Sequence, residues 1–429
     1  MQYCGRGGER DVIGRDDLRE AVHEALEKLG PRKKVLAVPP DFTRVHSRAG
    51  VITGFVYDYY RESLTDVLPA LGTHSPMTDA EISIMFAGVP QRLFRAHNWR
   101  SDLQTLGEVP SDFIDEVSEG RLSYGWPAQV NKILVRGNYD LILSIGQVVP
   151  HEVAGMANYN KNIFIGAGGE EGIHKSHFLG ACYGMERIMG RSDTPVRRVL
   201  NRASADFASR LPIVYVLTVV GKDERGQPIV RGLFIGDDDE SFKRASALSL
   251  KVNFEIVERP LKKVVVYLDP AEFKSTWLGN KSIYRTRMAL ADGGELIVLA
   301  PGVRAFGEDK TIDGLIRKYG YVTTPEVLRF VEREDDLKSN LSAAAHLIHG
   351  SPEDRFAVTY CPGHLTREEI EGVHFGYADL GAVLRRYDPD RLRDGYATLA
   401  DGEEIYYISN PALGLWACRD RFPDSQLSP

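Results

Sequence analysis

The stretch DLILSIGQVVPHEVAGMANYNKNIFIGAGGEEGIHKSHFLGACYG, Asp140 to Gly184, carries the pattern that decides the fold and the densest group of reactive side chains. It begins with an apolar run, Leu141 to Ile145, which predicts a buried strand of an α/β sheet. A loop rich in glycine and asparagine follows and carries His151 and Lys161. Because ligand sites of open α/β sheets form outside the carboxyl ends of strands, we expect both side chains in a binding site.

The glycines of this stretch do not form a dinucleotide-binding fingerprint. The pattern G-x-G-x-x-G requires a glycine three residues after Gly168, where this chain has Glu171. Glu170 and Glu171 would also repel a pyrophosphate. An NAD-dependent hydroxyacid dehydrogenase therefore stays an alternative function, but the chain lacks the glycine fingerprint of that class. For the glycines themselves, the alternative interpretation is a flexible surface loop.

Composition and length indicate a globular protein of more than one domain. The chain has 429 residues, of which 43% are hydrophobic and 26% charged, and this is too long for one ordinary core. A net charge of -7 argues against nucleic acid or an anionic membrane as the main partner. No apolar run is long enough for a membrane span and the first residues lack the apolar segment of a signal peptide, so we expect a cytoplasmic location.

Alternating strand and helix patterns predict an α/β fold with two α/β domains. We expect an N-terminal domain over residues 1–259 and a C-terminal domain over residues 260–401. The tail, residues 402–429, is a segment that can pack back on the N-terminal domain. Among the individual elements, Arg15 to Leu29 predicts an amphipathic helix, and the apolar runs on either side of KDERGQP predict a hairpin.

Two further loops carry candidate functional residues. Val35 to Pro39 predicts a strand that runs into DFTR, where Asp41, Thr43 and Arg44 are suited to bind an anion and a hydroxyl. A helix N-cap at Asp41 with Arg44 in a surface salt bridge explains the same residues equally well.

His74 lies just before a predicted helix start. Thr78 and Glu81 match a capping box, so the histidine belongs to the preceding loop. A solvated loop histidine is the ordinary interpretation of one such residue, but several such loops in one domain favour a functional site.

Taken together, these loops resemble the nickel-dependent lactate racemase family, whose members act on 2-hydroxy acids. The resemblance covers most of the chain and rests on four motifs with matching order and spacing. These are DFTR at Asp41 to Arg44, GTHSPMTDAEI at Gly72 to Ile82, PHEVAGMANYNK at Pro150 to Lys161, and His177 sixteen residues beyond Lys161.

The resemblance implies a nickel pincer nucleotide as cofactor, a pyridinium-bisthiocarboxylic acid mononucleotide that grips nickel through carbon and sulfur. Lys161 would tether it through a thioamide, and His177 would supply the protein ligand to nickel, for which neutral imidazole is well suited. Asp41 and Thr43 would shape the cofactor side of the pocket. The resemblance also implies that the N-terminal domain holds the cofactor and the catalytic residues, that the C-terminal domain contributes substrate contacts, and that the active site lies in the cleft between them. The spacing favours His177 over His174, although the sequence leaves open whether His174 also contacts the metal.

The resemblance also implies racemisation or epimerisation at C2 of a 2-hydroxy acid. Removal of a hydride is easier than removal of a proton there, because a carboxylate stabilises a carbanion poorly. His74 and His151 would be the two bases, one for each face of the planar 2-keto acid. Arg44 would bind the substrate carboxylate.

Two departures from the family pattern bear on the substrate. Ser75 stands where the family's lactate racemases have arginine, and Met288 stands where the substrate segment has lysine. In the same segment, Tyr284, Arg285 and Arg287 are predicted substrate-binding residues, so we expect an aldonic acid such as gluconate or mannonate rather than lactate. Racemisation of lactate or another short 2-hydroxy acid, and a non-catalytic nickel- or cofactor-binding protein, are the alternatives. We expect a small-molecule substrate, and the sequence does not decide whether the chain forms a homo-oligomer.

Overall fold

The computed structural model describes residues 1–223 and 226–422, and the chain divides into two compact units. The first unit comprises Met1–Leu179 and Arg187–Asn253. The second comprises Gly180–Glu186 and the described chain from Phe254 onward. The division after Asn253 lies six residues before the boundary expected after Arg259.

The first unit is built around a six-stranded sheet. The described strands of the whole unit are β1 (Gln2–Gly7), β2 (Val35–Val38), β3 (Leu64–Val67), β4 (Leu103–Val109), β5 (Trp126–Asn131), β6 (Leu141–Gln147), β7 (Pro150–His151), β8 (Gly155–Met156), β9 (Ile213–Lys222) and β10 (Pro228–Gly236). The sheet has the order β1-β10-β9-β6-β2-β3, and β4 with β5 and β7 with β8 form separate antiparallel pairs. The predicted hairpin is confirmed by the antiparallel pairing of β9 and β10, with part of its turn outside the described residues.

The chain changes direction across this sheet at β2. Strands β9, β6, β2 and β3 run parallel, and the chain passes from β2 to β3 on one side before it returns to β6 on the other. The carboxyl ends of β2 and β6 therefore flank a topological switch point, where open α/β sheets bind ligands. The DFTR loop follows β2, and the loop with His151 follows β6.

Helices cover the sheet of the first unit. They are α1 (Arg15–Leu29), α2 (Ala49–Tyr60), α3 (Asp79–Met85), α4 (Ser111–Val117), α5 (Lys132–Arg136), α6 (Glu170–Tyr183), α7 (Pro195–Phe207) and α8 (Asp239–Asn253). The predicted amphipathic helix is confirmed as α1, which buries Leu18, Val22 and Leu26 in a core shared with α2 and the sheet. The capping box of Thr78 and Glu81 is confirmed at the start of α3.

The second unit contains another six-stranded sheet. The described strands are β11 (Phe254–Val257), β12 (Leu261–Tyr267), β13 (Leu290–Ala300), β14 (Phe356–Pro362), β15 (Gly376–Tyr377), β16 (Gly395–Thr398), β17 (Glu404–Ile408) and β18 (Leu415–Cys418). The sheet has the order β15-β14-β13-β12-β17-β16 and is parallel except for β16. The helices are α9 (Thr276–Gly279), α10 (Lys281–Tyr284), α11 (Lys310–Tyr319), α12 (Thr324–Arg333), α13 (Asp335–Lys338), α14 (Leu341–Gly350), α15 (Arg367–Gly372) and α16 (Leu380–Arg386).

The C-terminal stretch supplies strands to the second unit. Strand β17 pairs with β12, and β18 pairs with β11. The apolar runs of these strands are buried, and parallel neighbours satisfy their backbone groups. The packing of residues 402–429 on the N-terminal domain stays a prediction, and residues 423–429 lie outside the described part of the chain. Both units are α/β, as predicted, and among the described helices none has the length and apolar character of a membrane span.

Candidate active site

Asp41 connects the loop after β2 to the loop after β3. Its Oδ1 accepts hydrogen bonds from the backbone N–H and the hydroxyl of Thr43. Asp41 is thereby the N-cap of the 3-10 helix Phe42–Ser47. Its Oδ2 accepts from Nδ1 of His74 at 2.6 Å. Burial alone would raise the pKa of this carboxyl, but the hydrogen bonds from His74 and Thr43 and the nearby Arg44 hold it below its ordinary value. The predicted N-cap at Asp41 is confirmed, and the same carboxylate also orients a histidine.

His74 is the exposed member of this pair. Its side chain is 43% exposed, whereas that of Asp41 is 6% exposed. The N–H of Gly72 donates to the carbonyl of Gly166 at 2.8 Å, which ties the histidine loop to the segment that follows Lys161. Because Nδ1–H is held by the carboxylate, neutral His74 presents Nε2 as a hydrogen-bond acceptor.

His151 has the opposite hydrogen-bonding pattern. It is buried in β7, and its Nδ1 accepts from the backbone N–H of Val153 at 3.1 Å. The neutral ring therefore carries its proton on Nε2, a donor. Burial holds the pKa of His151 well below its ordinary value, Lys161 and Arg44 lower it further, and Glu152 opposes them. The Glu152 Oε2 atom lies 3.8 Å from Nδ1.

Lys161 enters a π-helix, Asn162–Gly166, that begins at the switch point. The side-chain amide of Asn162 donates to the carbonyl of Val38 at 2.9 Å and to the hydroxyl of Ser144 at 3.1 Å, and so bridges β2 and β6. Burial, followed by Arg44, lowers the pKa of Lys161 to about 8. The lowered pKa leaves a larger neutral, nucleophilic fraction of this amine near neutral pH than an exposed lysine has.

His177 lies on α6 with its Nδ1 donating to the carbonyl of Ile173 at 2.7 Å. This bond fixes the tautomer and leaves the Nε2 lone pair as a ligand. Burial lowers the pKa of His177 to about 4, so the ring is neutral at pH 7. The neighbouring His174 packs instead against Trp99, with ring centroids 6.4 Å apart.

The side chains at the switch point act on one another electrostatically. Arg44, Lys161 and His177 each lower the pKa of His151. Glu152 acts in the opposite direction and raises the pKa of His151, of Lys161 and of His177. The structure thus brings the residues of all four motifs to one end of the first sheet.

Across residues 1–223 and 226–422, no group of three or more His, Cys, Asp or Glu side chains is arranged to hold a metal ion. A metal at His177 would take its other ligands from a bound group or water.

The predicted substrate residues of the second unit are all buried. Arg285 is 1% exposed and donates from Nη1 to the carbonyl of Gly414 at 3.1 Å. Arg287 is 6% exposed, with its Nε 3.2 Å from a carboxylate oxygen of Glu186. The role of Tyr284, Arg285 and Arg287 toward substrate stays a prediction, and the internal partners of the two arginines argue against direct contact.

Sequence reasoning missed three residues around the site: Glu152, Asn162 and Arg197. Glu152 and Asn162 stand directly beside His151 and Lys161, so attention to the neighbours of each motif residue could have found them. Arg197 lies on α7, far from any motif, and no local signal marks it.

Comparisons with known proteins agree with this architecture. Residues 14–187 match the family model described as the lactate racemase N-terminal domain. A crystal structure of a protein from Thermotoga maritima is similar with a TM-score of 0.81 and 25% identity, over 96% of this chain and 99% of that one. The lactate racemase apoprotein from Thermoanaerobacterium thermosaccharolyticum has the same fold with a TM-score of 0.69 and 18% identity, over 96% and 94% of the chains. A search of curated proteins gives no significant match.

Proposed function

Because residues 14–187 match the family model of the lactate racemase N-terminal domain, we propose that this chain inverts the configuration at C2 of a 2-hydroxy acid. The observation that carries the proposal is the group of side chains at the switch point. It contains two histidines with different Nδ1 partners, a buried amine and a neutral imidazole. Inversion through a planar intermediate requires a proton-transfer group for each face, and histidine serves this role near neutral pH.

The residues present fit a nickel pincer nucleotide. Lys161 offers a buried amine with a lowered pKa for the covalent tether, and His177 offers the Nε2 lone pair of a neutral imidazole. The pincer brings its own carbon and sulfur donors, which suits a site whose described residues form no protein-only metal cluster. When bound, the cofactor would accept a hydride from C2 of the substrate and return it.

Arg44 and His74 act on one side of the substrate in this proposal. The guanidinium of Arg44 binds the carboxylate through paired hydrogen bonds and orients C2. His74 accepts the proton of the 2-hydroxyl at Nε2, and Asp41 stabilises the resulting imidazolium through the 2.6 Å bond at Nδ1.

His151 acts on the opposite side. With Nδ1 accepting from Val153, its Nε2–H donates a hydrogen bond to the C2 oxygen. If Nδ1 turns from the Val153 amide to the carboxylate of Glu152, 3.8 Å away, the carboxylate favours the tautomer that is protonated on Nδ1. The ring then takes up a proton from solvent at Nδ1 and releases its Nε2 proton to solvent, so that Nε2 can accept the proton of the 2-hydroxyl. Glu152 is therefore the partner that His151 needs to act as a base, as Asp41 is for His74.

For the substrate, we favour an aldonic acid over lactate. Ser75 is exposed and directly follows His74, so a small side chain leaves room where the family's lactate racemases carry arginine. Because Arg285 and Arg287 are buried, they do not support a longer substrate, and the preference for an aldonic acid rests on Ser75.

The test is intact mass and nickel content of protein produced together with cofactor-synthesis enzymes, followed by turnover of lactate and C6 aldonates. We expect one nickel and one cofactor mass per chain, both lost in Lys161→Ala. The matched control is Lys175→Ala, which removes a lysine of α6 that pairs with Glu171 at 2.5 Å, and it should load normally. Unmodified, nickel-free wild-type protein would contradict the cofactor assignment. Good turnover of lactate without turnover of any aldonate would overturn the substrate assignment.

A further inference from the structure

The segment that leads into Lys161 contains two consecutive residues with left-handed backbone. Asn158 has a φ of 63° and Tyr159 a φ of 60°. Non-glycine residues rarely adopt this conformation, so two consecutive examples require contacts that hold them. The turn sets the direction in which the chain reaches Lys161, so the contacts that hold it also determine where the amine lies.

Arg197 of α7 supplies these contacts. Its Nη2 donates to the carbonyls of Met156 at 2.7 Å and Asn158 at 3.3 Å. Its Nη1 donates to the same Asn158 carbonyl and to the side-chain oxygen of Asn160. One guanidinium therefore binds the residues before, within and after the left-handed turn.

The guanidinium is buried without a carboxylate among these partners. Arg197 is 1% exposed and lies over the ring of Phe242, 4.4 Å from its centroid, and the ring of Tyr159 stacks on the same phenyl ring with centroids 5.0 Å apart. In the described residues its Nε is buried with no hydrogen-bond partner. Burying an unpaired charge is costly, and a packing role alone would be served at lower cost by an apolar side chain.

We propose that Arg197 is a positioning residue of the active site, which holds the Met156–Asn160 turn and so directs Lys161 toward the cofactor. Its positive charge near Lys161 also contributes to the lowered pKa of that amine. The effect on cofactor attachment rests on the proposed function, whereas the effect on the turn does not. The two parts are therefore measured separately.

The first measurement is hydrogen exchange of the apo-protein, with Arg197→Ala compared to wild type. The reporters are the amides of Ala157, Tyr159 and Asn162, which are hydrogen-bonded to Val149, Asn158 and Tyr159. Because bonds to a charged group are lost, we expect these amides to exchange at least about ten-fold faster, with the strands of the first sheet unchanged. Arg202→Ala is the matched control, since Arg202 lies on the same helix and pairs with Asp206 at the surface.

The second measurement is tether formation at Lys161, read as the mass of the Lys161 peptide after co-production with the cofactor-synthesis enzymes. Misplacement of a reacting group by about 1 Å costs roughly 10²-fold, so we expect Arg197→Ala to form the tether about that much more slowly. Free guanidinium at a non-denaturing concentration should restore it in part, whereas urea at the same concentration should not. Loss through general misfolding would not be restored by guanidinium.

Arg197→Lys provides a second variant should the alanine variant fail to fold. It keeps the charge but cannot bridge three acceptors with a planar fork, so it should fold and still show faster exchange at the same three amides. Wild-type exchange in a folded Arg197 variant, or wild-type tether formation, would overturn the proposal. If wild-type protein itself forms no tether, the proposed function fails, and the exchange measurement still decides whether Arg197 holds the turn.

Discussion

Nδ1 of His74 donates to the Asp41 carboxylate across 2.6 Å, between residues separated by 33 positions in the sequence. The bond fixes the orientation of an otherwise exposed side chain and sets which ring nitrogen can accept a proton. It distinguishes His74 from His151, whose Nδ1 accepts a backbone N–H.

Asp41→Asn should remove most of the activity while the cofactor still loads. The amide cannot stabilise an imidazolium, and it can impose the wrong tautomer on His74. General acid–base catalysis contributes about 10² to 10⁴-fold, so we expect kcat to fall by at least about 10²-fold. Thr43→Val is the comparison: it removes one hydrogen bond to Asp41 but keeps the carboxylate that faces His74, so kcat should fall less than in Asp41→Asn. An Asp41→Asn variant with wild-type kcat would exclude the dyad.

Glu152→Gln should lower kcat and move the pH profile. Glu152 raises the pKa of His151, so its neutralisation makes protonated His151 scarcer at any given pH. The limb of the kcat profile that requires protonated His151 should therefore shift to lower pH. Glu171→Gln, a neutralised glutamate on the first turn of α6, is the comparison. A profile that does not move would show that Glu152 does not act on His151.

Arg287→Met should reduce stability rather than substrate affinity. The guanidinium is buried, pairs with Glu186 and donates to the carbonyl of Ser351 at 3.3 Å. Removal of a charged partner from buried acceptors costs about 1 to 3 kcal/mol, which denaturant unfolding would detect. The competing result is a raised KM with unchanged unfolding, which would support the predicted substrate role of Arg287.

Asn162→Ala should destabilise the first unit and slow cofactor attachment. The substitution leaves the Val38 carbonyl and the Ser144 hydroxyl without the amide that bridges β2 and β6. We expect a loss of about 1 to 3 kcal/mol in the free energy of unfolding. Asn160→Ala, which breaks side-chain bonds to α7 instead, allows the strand bridge to be separated from the turn contacts. Equal stability of wild type and Asn162→Ala would mean that the bridge is not needed.

His346 should make the second unit sensitive to acid. Burial lowers its pKa to about 3, and its Nε2 lies 2.9 Å from the hydroxyl of Tyr321. The unfolded chain therefore binds a proton that the folded chain does not between pH 6.5 and about 3, and stability falls as the pH drops through this window. Between pH 7 and pH 5 this histidine accounts for about 2 kcal/mol. Between pH 7 and pH 5, His346→Gln should lose correspondingly less free energy of unfolding than wild type. An equal loss in both proteins would show that other groups cause the acid sensitivity.

The sequence by itself determined the α/β class, α1, the β9–β10 hairpin, the capping box at Thr78 and the four motifs. These features depend on side chains within a few positions of one another, or on short runs of apolar residues that predict buried strands. Because ligand sites of open α/β sheets form outside the carboxyl ends of strands, the apolar run before His151 and Lys161 also predicted that both lie at a binding site.

Only the tertiary structure decided how the side chains are paired. The partners of His74, Asn162 and Arg197 lie 33, 124 and 37 positions away, beyond any local pattern. The same holds for the different Nδ1 partners of the two histidines and for the burial of Arg285 and Arg287. A residue type states what a side chain can donate or accept, but the packing of distant segments selects the partner, and with it the tautomer, the charge and the role.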